Sequence, residues 1–442
     1  MGRVRLDTPP AGAAPAEGGS AQRRLSLRHN FAWTLGGNVV YAATQWGMLV
    51  VLSRLLNPLA LGEFALGLAL TAPVMTFAYL KLRSVLATDV AREREFGDFL
   101  GLRLLGVAGA VLVIAGAVAW GGYPARTAGV ILLVAAAKGL DAVGDIYQGV
   151  LQQRERMDRI SMSLLVNGVV SLAAMWGLVY LTHSVLWGAV GSVLGSAAGL
   201  AFVVPAALGV IRGGEGTEGE PARPRFRAPV LRSLAVLALP LGVNTALGSL
   251  QANLPRYFIE HSLGTRQLGI FAAVAYLTVA GPLVINALGQ SATPRLAQLY
   301  GHGQLAGFRR LLAKLVGLGV GVGLAGLLCA AVAGRWLLLR LYGAEYAGAS
   351  EVLVWLMVAA TVSYAYIFLG TAVSAMRLFR IQLPIGIGVF AALVASCALL
   401  VPRFGLRGAA WAMLASALVE GSLYCCIIFP RLRRAPVPGA AA

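Results

Sequence analysis

Residues 127–151 read TAGVILLVAAAKGLDAVGDIYQGVL. The stretch is as long as the ~20 apolar residues a helix needs to cross a hydrocarbon core of ~30 Å, yet it contains Lys138, Asp141 and Asp145. An ionisable group in that position costs about 2.5–3.5 kcal/mol on insertion scales and marks a site by default. At 100° per residue the three lie at about 0°, 300° and 340° around the helix. Gln148, Gln152 and Arg156 continue the same edge, giving six polar residues in an arc of about 80° and a length of ~27 Å. Two readings fit this edge. It faces a wet cavity, or Lys138 and Asp141, three residues apart, neutralise each other as a structural ion pair in a packed interior.

The rest of the chain has the same membrane character. Of 442 residues, 58% are hydrophobic and 12% charged, with a mean hydropathy of +0.76. A soluble domain runs nearer ~45–50% apolar and ~25% charged. The apolar residues also fall in long runs, which excludes a soluble enzyme, a disordered chain and a coiled coil. Twelve spans are expected, roughly at 31–55, 62–82, 99–120, 127–151, 160–181, 185–211, 233–257, 268–290, 311–334, 348–375, 382–401 and 407–429. The expected fold is all-α integral membrane, with twelve transmembrane helices in two parallel six-helix lobes around a central cavity. Residues 1–30 read as a disordered cytoplasmic tail, 31–211 as the N-terminal lobe, 212–232 as a cytoplasmic linker, 233–430 as the C-terminal lobe and 431–442 as a second cytoplasmic tail.

Net charge is +18, and 33 of the 36 basic residues are Arg. They cluster at the ends of apolar runs instead of forming a basic face interleaved with aromatics, so nucleic acid is not the expected partner. Counted by connection, 27 basic residues fall on one side, 8 on the other, and Lys138 lies within a span. The positive-inside rule then places both termini in the cytoplasm. Arg23-Arg24 before an apolar run weakly resembles a twin-arginine signal, but the segment after it suits an uncleaved first helix.

The halves echo each other. Leu35-Gly36-x-Asn38 followed by Gln45 recurs as Leu241-Gly242-x-Asn244 followed by Gln251, and Leu61-Gly62-x-Phe64-Ala65 recurs as Leu268-Gly269-x-Phe271-Ala272. Gly149, Arg156, Arg159 and Ile160 match Gly370, Arg377, Arg380 and Ile381, and Leu186-x-Gly188-Ala189 matches Leu406-x-Gly408-Ala409. Six helices per half bring both copies into the membrane from the same side, a parallel repeat of the kind that rocks around a central cavity.

Thr34, Asn38, Tyr41 and Gln45 share one face of the first span, and Asn244 and Gln251 hold matching places on the seventh. Such amides hydrogen-bond a neighbouring helix or line the cavity; both uses stay open. Asn286, Gln290 and Glu420 are weaker candidates, while Arg54 and Arg256 are expected to snorkel to headgroups. Gly317-x-Gly319-x-Gly321-x-Gly323 and the Gly191, Gly195, Gly199 series are read as helix-packing features. Cys329, Cys397, Cys425 and Cys426 lack metal-ligand spacing and are expected to be free thiols, so no metal site and no cofactor is expected. With no Walker A sequence and only short outer loops, the chain reads as a transporter and not an enzyme.

Several stretches carry a family resemblance: Leu52-Ser-Arg54-Leu-Leu56 through Leu61-Gly-Glu-Phe-Ala65, Leu82-Arg83 to Thr88-Asp89, Gln152 to Asp158, Tyr342-Gly-Ala-Glu345-Tyr346, and Gly405-Leu-Arg-Gly408-Ala-Ala-Trp411. Together they resemble the polysaccharide-exporter, O-antigen flippase branch of the multidrug/oligosaccharidyl-lipid/polysaccharide superfamily. The resemblance implies a multi-pass protein of the bacterial cytoplasmic (inner) membrane. Its implied cargo is a polyprenyl-diphosphate-linked sugar chain (an O-antigen, capsule or exopolysaccharide precursor), and its implied neighbours are the bilayer and other polysaccharide-assembly membrane proteins. Lys81, Arg83, Arg156 and Arg159 would then stand at the cytoplasmic mouth for the diphosphate, with the amide and hydroxyl stripes facing sugars. An inside-negative potential of ~100 mV favours exporting two negative charges by roughly 4.6 kcal/mol; Lys138, Asp141 and Asp145 carrying a coupling proton is the other way to drive the cycle. An ion-coupled multidrug/cation antiporter of the same superfamily is expected to place a carboxylate in its first span, and none lies between Asn30 and Ser53. A major-facilitator carrier shares the layout, but its Gly/Asp/Arg loop signature is missing from Lys81–Arg94. A membrane glycosyltransferase or polymerase should carry a large outer loop with acidic or His residues, and only Glu260, His261 and Glu345 qualify.

Overall fold

The structure, a computed structural model, describes residues 27–89, 94–212, 223–378 and 381–433. Most of the two expected tails and the middle of the 212–232 linker lie outside the described residues, as do Arg92 and Arg380 of the charge count. Among the described residues every regular element is a helix. The N-terminal half holds α1 (Leu27–Leu55), α2 (Pro58–Tyr79), α3 (Leu82–Thr88), α4 (Phe96–Trp120), α5 (Ala125–Gln153), α6 (Met157–Thr182) and α7 (Val185–Arg212). The C-terminal half holds α8 (Ala228–Leu263), α9 (Thr265–Tyr276), α10 (Ala280–Gly301), α11 (Leu305–Leu341), α12 (Ala344–Ala347), α13 (Ser350–Ala375) and α14 (Gln382–Arg433).

Ten helical segments are long and apolar enough to cross a bilayer, and the bent α9–α10 pair makes an eleventh. The chain is a multi-pass membrane protein. Several helices overrun their expected bounds; α8 with 36 residues and α11 with 37 are each about 55 Å long at 1.5 Å per residue. Hydropathy marks only the part of a helix that sits in hydrocarbon, and helical hydrogen bonding continues into the interface.

Two expected spans take unexpected forms. The stretch 268–290 is bent by 45° between α9 and α10. Pro282 has no N–H to give the Thr278 carbonyl one turn back, and that oxygen instead accepts the Tyr364 hydroxyl at 3.1 Å. The stretches 382–401 and 407–429 run together as α14, 52 residues with a break at Gly405 (φ 60°, ψ −137°). Only glycine adopts that backbone without strain.

Helices pack first within each half. In the N-terminal half α5 touches α2, α3, α4, α6 and α7, and α1 lies on α6; in the C-terminal half α13 touches α10, α11 and α14, and α8 lies on α14. The small-residue series works as expected at α6–α7: a Cβ on Gly191 would stand 2.4 Å from the Met175 nitrogen, and one on Gly195 would stand 1.8 Å from Ser171 Oγ. In α11 only Gly319 and Gly323 of the four alternating glycines press on α13, and Gly317 and Gly321 face open space.

The halves meet along α2, which lies on α8 and α9. The two copies of the Leu-Gly-x-Phe-Ala motif touch there: a Cβ on Gly62 would be 1.8 Å from the Thr265 carbonyl oxygen, and one on Gly269 would be 1.9 Å from that of Pro58. The repeat seen in the sequence is therefore the contact between the halves. At the same end of the bundle, Arg54 donates to the carbonyls of Leu341 at 2.9 Å and Leu339 at 3.3 Å, and also to that of Arg340. It caps the C-terminus of α11 and does not snorkel. Trp46 Nε1 donates to Tyr342 Oη at 2.8 Å; burial pushes the Tyr342 phenol up to about 12, so this bond keeps its form at neutral pH.

Candidate functional site

The polar edge of α5 turns into the N-terminal half. Lys138 Nζ pairs with Asp141 Oδ2 at 3.0 Å, and Asp141 Oδ1 accepts from Asn167 Nδ2 of α6 at 2.8 Å. Asp145 is held twice, by Arg103 Nη2 of α4 at 2.9 Å and by Arg83 Nη1 of α3 at 3.4 Å. Arg83 is a hub, for Nη1 also donates to Gln148 Oε1 and Nε to Gln152 Oε1, both at 2.8 Å.

Local backbone places these groups. Leu80 and Lys81 both adopt left-handed φ, at 48° and 53°, which ends α2 and swings α3 across α5. Close approach of α3 needs a small partner: a Cβ on Gly149 would lie 3.0 Å from Leu86 Cδ2. At the far end of α5, Glu155 is left-handed (φ 58°), the Glu155 N–H donates to the Gln152 carbonyl at 3.0 Å, and the Arg156 N–H donates to that of Leu151 at 2.8 Å. This Schellman closure takes Arg156 off the edge. Its guanidinium instead holds Asp158 with two bonds of 3.0 Å, so the six-residue stripe has five members.

A polar cavity of about 250 Å³ lies against these groups, lined by Tyr41, Tyr79, Arg83, Lys138, Asp141, Asp145, Gln148, Ser163, Asn167 and Ser196. Every residue on its wall belongs to the N-terminal half. The edge thus opens into the interior of the N-terminal half, not across a passage between the halves. A smaller void of about 20 Å³, with Gln45 and Ser171 added to the wall, has room for one water among several polar partners.

The charges do not balance. Arg83, Arg103 and Lys138 oppose Asp141 and Asp145, leaving one positive charge over. Arg103 is fully buried, its guanidinium lies 4.8 Å from the Tyr79 ring centroid, and its Nε and Nη1 find no acceptor among the described residues. Removing such a group from water costs several kcal/mol, which Asp145 and the ring face offset only in part. The cavity wall itself is balanced, with Arg83 and Lys138 against Asp141 and Asp145; the excess positive charge is Arg103, buried behind Asp145.

The other sequence candidates lie elsewhere. Asn38 is exposed and donates to the Thr34 carbonyl of its own helix at 2.7 Å, Asn244 is exposed on α8, and Gln251 donates to the Gly386 carbonyl of α14 at 2.7 Å. Lys81 is exposed at the α2–α3 junction, and Arg159 is half-exposed with Asp158 at 3.8 Å. Arg256 points inward, not to headgroups: its Nη1 donates to Asn253 Oδ1 at 2.9 Å. Sequence reading missed Arg103, Tyr79 and Asn167. Arg103 was available, since it falls within the expected span 99–120 although it counts as a loop charge; Tyr79 and Asn167 carry no signal until α2 and α6 are packed on α5.

Residues 27–300 match the family described as "Polysaccharide biosynthesis protein". The capsular polysaccharide biosynthesis protein CapF of Staphylococcus aureus is 25% identical over 394 residues, which is 88% of this chain and 96% of CapF. Among solved structures, the Vibrio cholerae MATE transporter VcmN aligns with a TM-score of 0.59 at 16% identity, covering 92% of this chain and 96% of VcmN. An inward-facing multidrug resistance MATE transporter of the MOP superfamily aligns at 0.62 and 12% identity, and a Pyrococcus furiosus MOP superfamily transporter at 0.59 and 13%. Each pair covers 92% of this chain and 95% of the relative. At these identities the structural likeness establishes the fold alone, which is that of the MATE transporters.

Proposed function

From the premise that the chain belongs to the polysaccharide biosynthesis protein family, we propose that it flips a polyprenyl-diphosphate-linked oligosaccharide across the bacterial cytoplasmic membrane by alternating access. With α14 counted as two spans about Gly405 and α9–α10 as one bent span, the helices number twelve, six in each lobe. The excess of basic residues at one set of connections puts both termini in the cytoplasm. On that orientation the Gly62–Gly269 contact and the Arg54 cap close the periplasmic end. Half-exposed Leu35, Val39 and Leu241 then lie in the cytoplasmic halves of α1 and α8, with Leu283 and Val284 at the start of α10 near the middle of its span, so the reading is of an inward-open transporter.

The observation that carries the proposal is the surplus cation of the cluster around the N-terminal cavity, where Lys138 and Arg83 on the wall and Arg103 buried behind Asp145 face two carboxylates. A diphosphate entering the cavity supplies the missing negative charge, and Gln148, Asn167 and Ser196 offer hydrogen bonds to the first sugar. Lys81, Arg156 and Arg159 add positive potential at the mouth and steer the anion inward. The multidrug alternative rests on the MATE-like fold, but a pocket whose two wall carboxylates are already paired with cations, with a third cation, Arg103, buried behind Asp145, disfavours a cationic drug.

Deletion in a strain making a lipid-linked glycan tests this. Export of the glycan should stop and undecorated lipid-linked precursor should accumulate in the inner leaflet. Normal surface polysaccharide together with altered drug sensitivity overturns the proposal in favour of the antiporter.

A further inference from the structure

A second cavity, of about 670 Å³, lies in the seam between α1 and the α9–α10 pair. Its chemistry is the opposite of the first. Leu35, Val39 and Ala42 form one wall and Leu283, Val284 and Ala287 the other, and the four large side chains among them are each between 45% and 54% exposed. A soluble protein would not leave such a surface bare. The bend at Leu277–Val279 creates the space by tipping α10 away from α1 below the point where α1 and α9 touch.

Trp46 and Tyr276 also line this chamber. Tyr276, on the chamber wall, is within electrostatic reach of Arg256 of α8, of Tyr41 and of Lys138, so two cations lie near that wall. Arg256 has no carboxylate within 4 Å among the described residues. A cation without a counter-ion, within a membrane helix and beside an apolar chamber, suits a ligand with a phosphate at one end and hydrocarbon at the other. We propose that the α1/α9–α10 chamber holds the phosphate-proximal part of a polyprenyl chain, with its phosphate between Arg256 and Lys138. This rests on the reading of the cargo as a lipid-linked glycan. At about 30 Å³ per water-sized group the chamber has room for roughly twenty carbon atoms, or about four isoprene units, and the rest of the chain stays in the bilayer. Ala42, Ala43 and Ala287 make the chamber broad, which fits the methyl branches of an isoprenoid better than the slim section of a straight acyl chain.

The test uses the purified full chain in lipid nanodiscs, with polyprenyl monophosphate and dioleoyl phosphatidate as probes and native mass spectrometry as the readout. The expected result is at least tenfold preferential retention of polyprenyl monophosphate. A42W and A287W should cut that retention at least tenfold, and R256Q several-fold. In case the tryptophan variants do not fold, V39C provides a second readout: polyprenyl monophosphate should slow its alkylation by N-ethylmaleimide and phosphatidate should not. Equal retention of the two lipids, or an alkylation rate indifferent to both, overturns the inference. The probe carries no sugar, so chain binding with unimpaired glycan export in the deletion strain would refute only the proposed function. Export loss without chain binding would refute only this inference.

Discussion

The N-terminal and C-terminal halves each pack around one helix, α5 and α13, and differ in what surrounds it. When Gly149 is set against Gly370, the positions of Lys138, Asp141, Asp145, Gln148 and Gln152 are taken by Ala359, Val362, Tyr366, Leu369 and Val373. The central helices α5 and α13 end alike, Leu378 N–H donating to the Val373 carbonyl at 3.2 Å as Arg156 does to Leu151, with Arg377 left-handed at φ 58°. Yet the C-lobe interior around α13 is a hydrophobic cluster of Ile285, Phe308, Tyr364, Phe368, Ala372 and Val373. Glu420 on α14 faces the hydroxyls of Tyr366 and Tyr424 and no cation among the described residues. One backbone frame thus supports a charged interior in one copy and an apolar one in the other. The difference teaches that helix packing and ligand chemistry are separately specified: small residues and caps set the frame, and the edge of one helix sets the charge.

The largest effect expected from breaking this contrast comes at Asp145. Asp145→Ala leaves the buried Arg103 with only the Tyr79 ring beside it and should destabilise the protein by about 3–5 kcal/mol, whereas Val362→Ala, at the counterpart of Asp141, should cost no more than about 1.5 kcal/mol. Thermal unfolding of the two detergent-solubilised variants compares them, and equal losses would mean that the N-lobe charges are surface groups. Next in size is the seam. Gly62→Ala forces a Cβ against the Thr265 carbonyl oxygen and should cost about 1–3 kcal/mol, while Gly317→Ala, with open space around it, should stabilise by up to about 1 kcal/mol. Cysteine accessibility at the α1–α2 turn should rise only for the Gly62 variant. The smallest contrast is between two rim pairs. Arg126, 51% exposed, holds the nearly buried Glu63 at 3.1 Å, and Arg266 holds Glu345 at 2.5 Å with both half-exposed or more. Arg126→Ala should cost about 1 kcal/mol and Arg266→Ala less than about 0.5 kcal/mol, a ranking that denaturation at low and high salt can check.

A last contrast concerns access. A cysteine at Gln148 should react with a membrane-impermeant maleimide from the cytoplasmic side, because Arg83, its partner, is 29% exposed on the same cavity wall. A cysteine at Val373, the C-lobe counterpart of Gln152, should stay inert from both sides, since that position is fully buried. Reaction at Val373 would show that the C-lobe is as hydrated as its partner.

Legible in the residues alone were the membrane class, the approximate place of nearly every span and the charged edge of α5. All of these are local: hydrophobic length and 3.6-residue periodicity are properties of consecutive residues. Tertiary structure decided the rest. Arg156 reads as part of the edge until the left-handed Glu155 turns the chain away. The edge faces the N-lobe interior because α3, α4 and α6 bring Arg83, Arg103 and Asn167 to it from 26 to 62 residues away in sequence. Asn38 and Asn244 share the motif of the repeat yet stay exposed, since a pattern along one helix fixes which residues are neighbours on a face but not which face meets another helix. That choice belongs to packing, where buried ions must find partners and glycines allow backbones to touch.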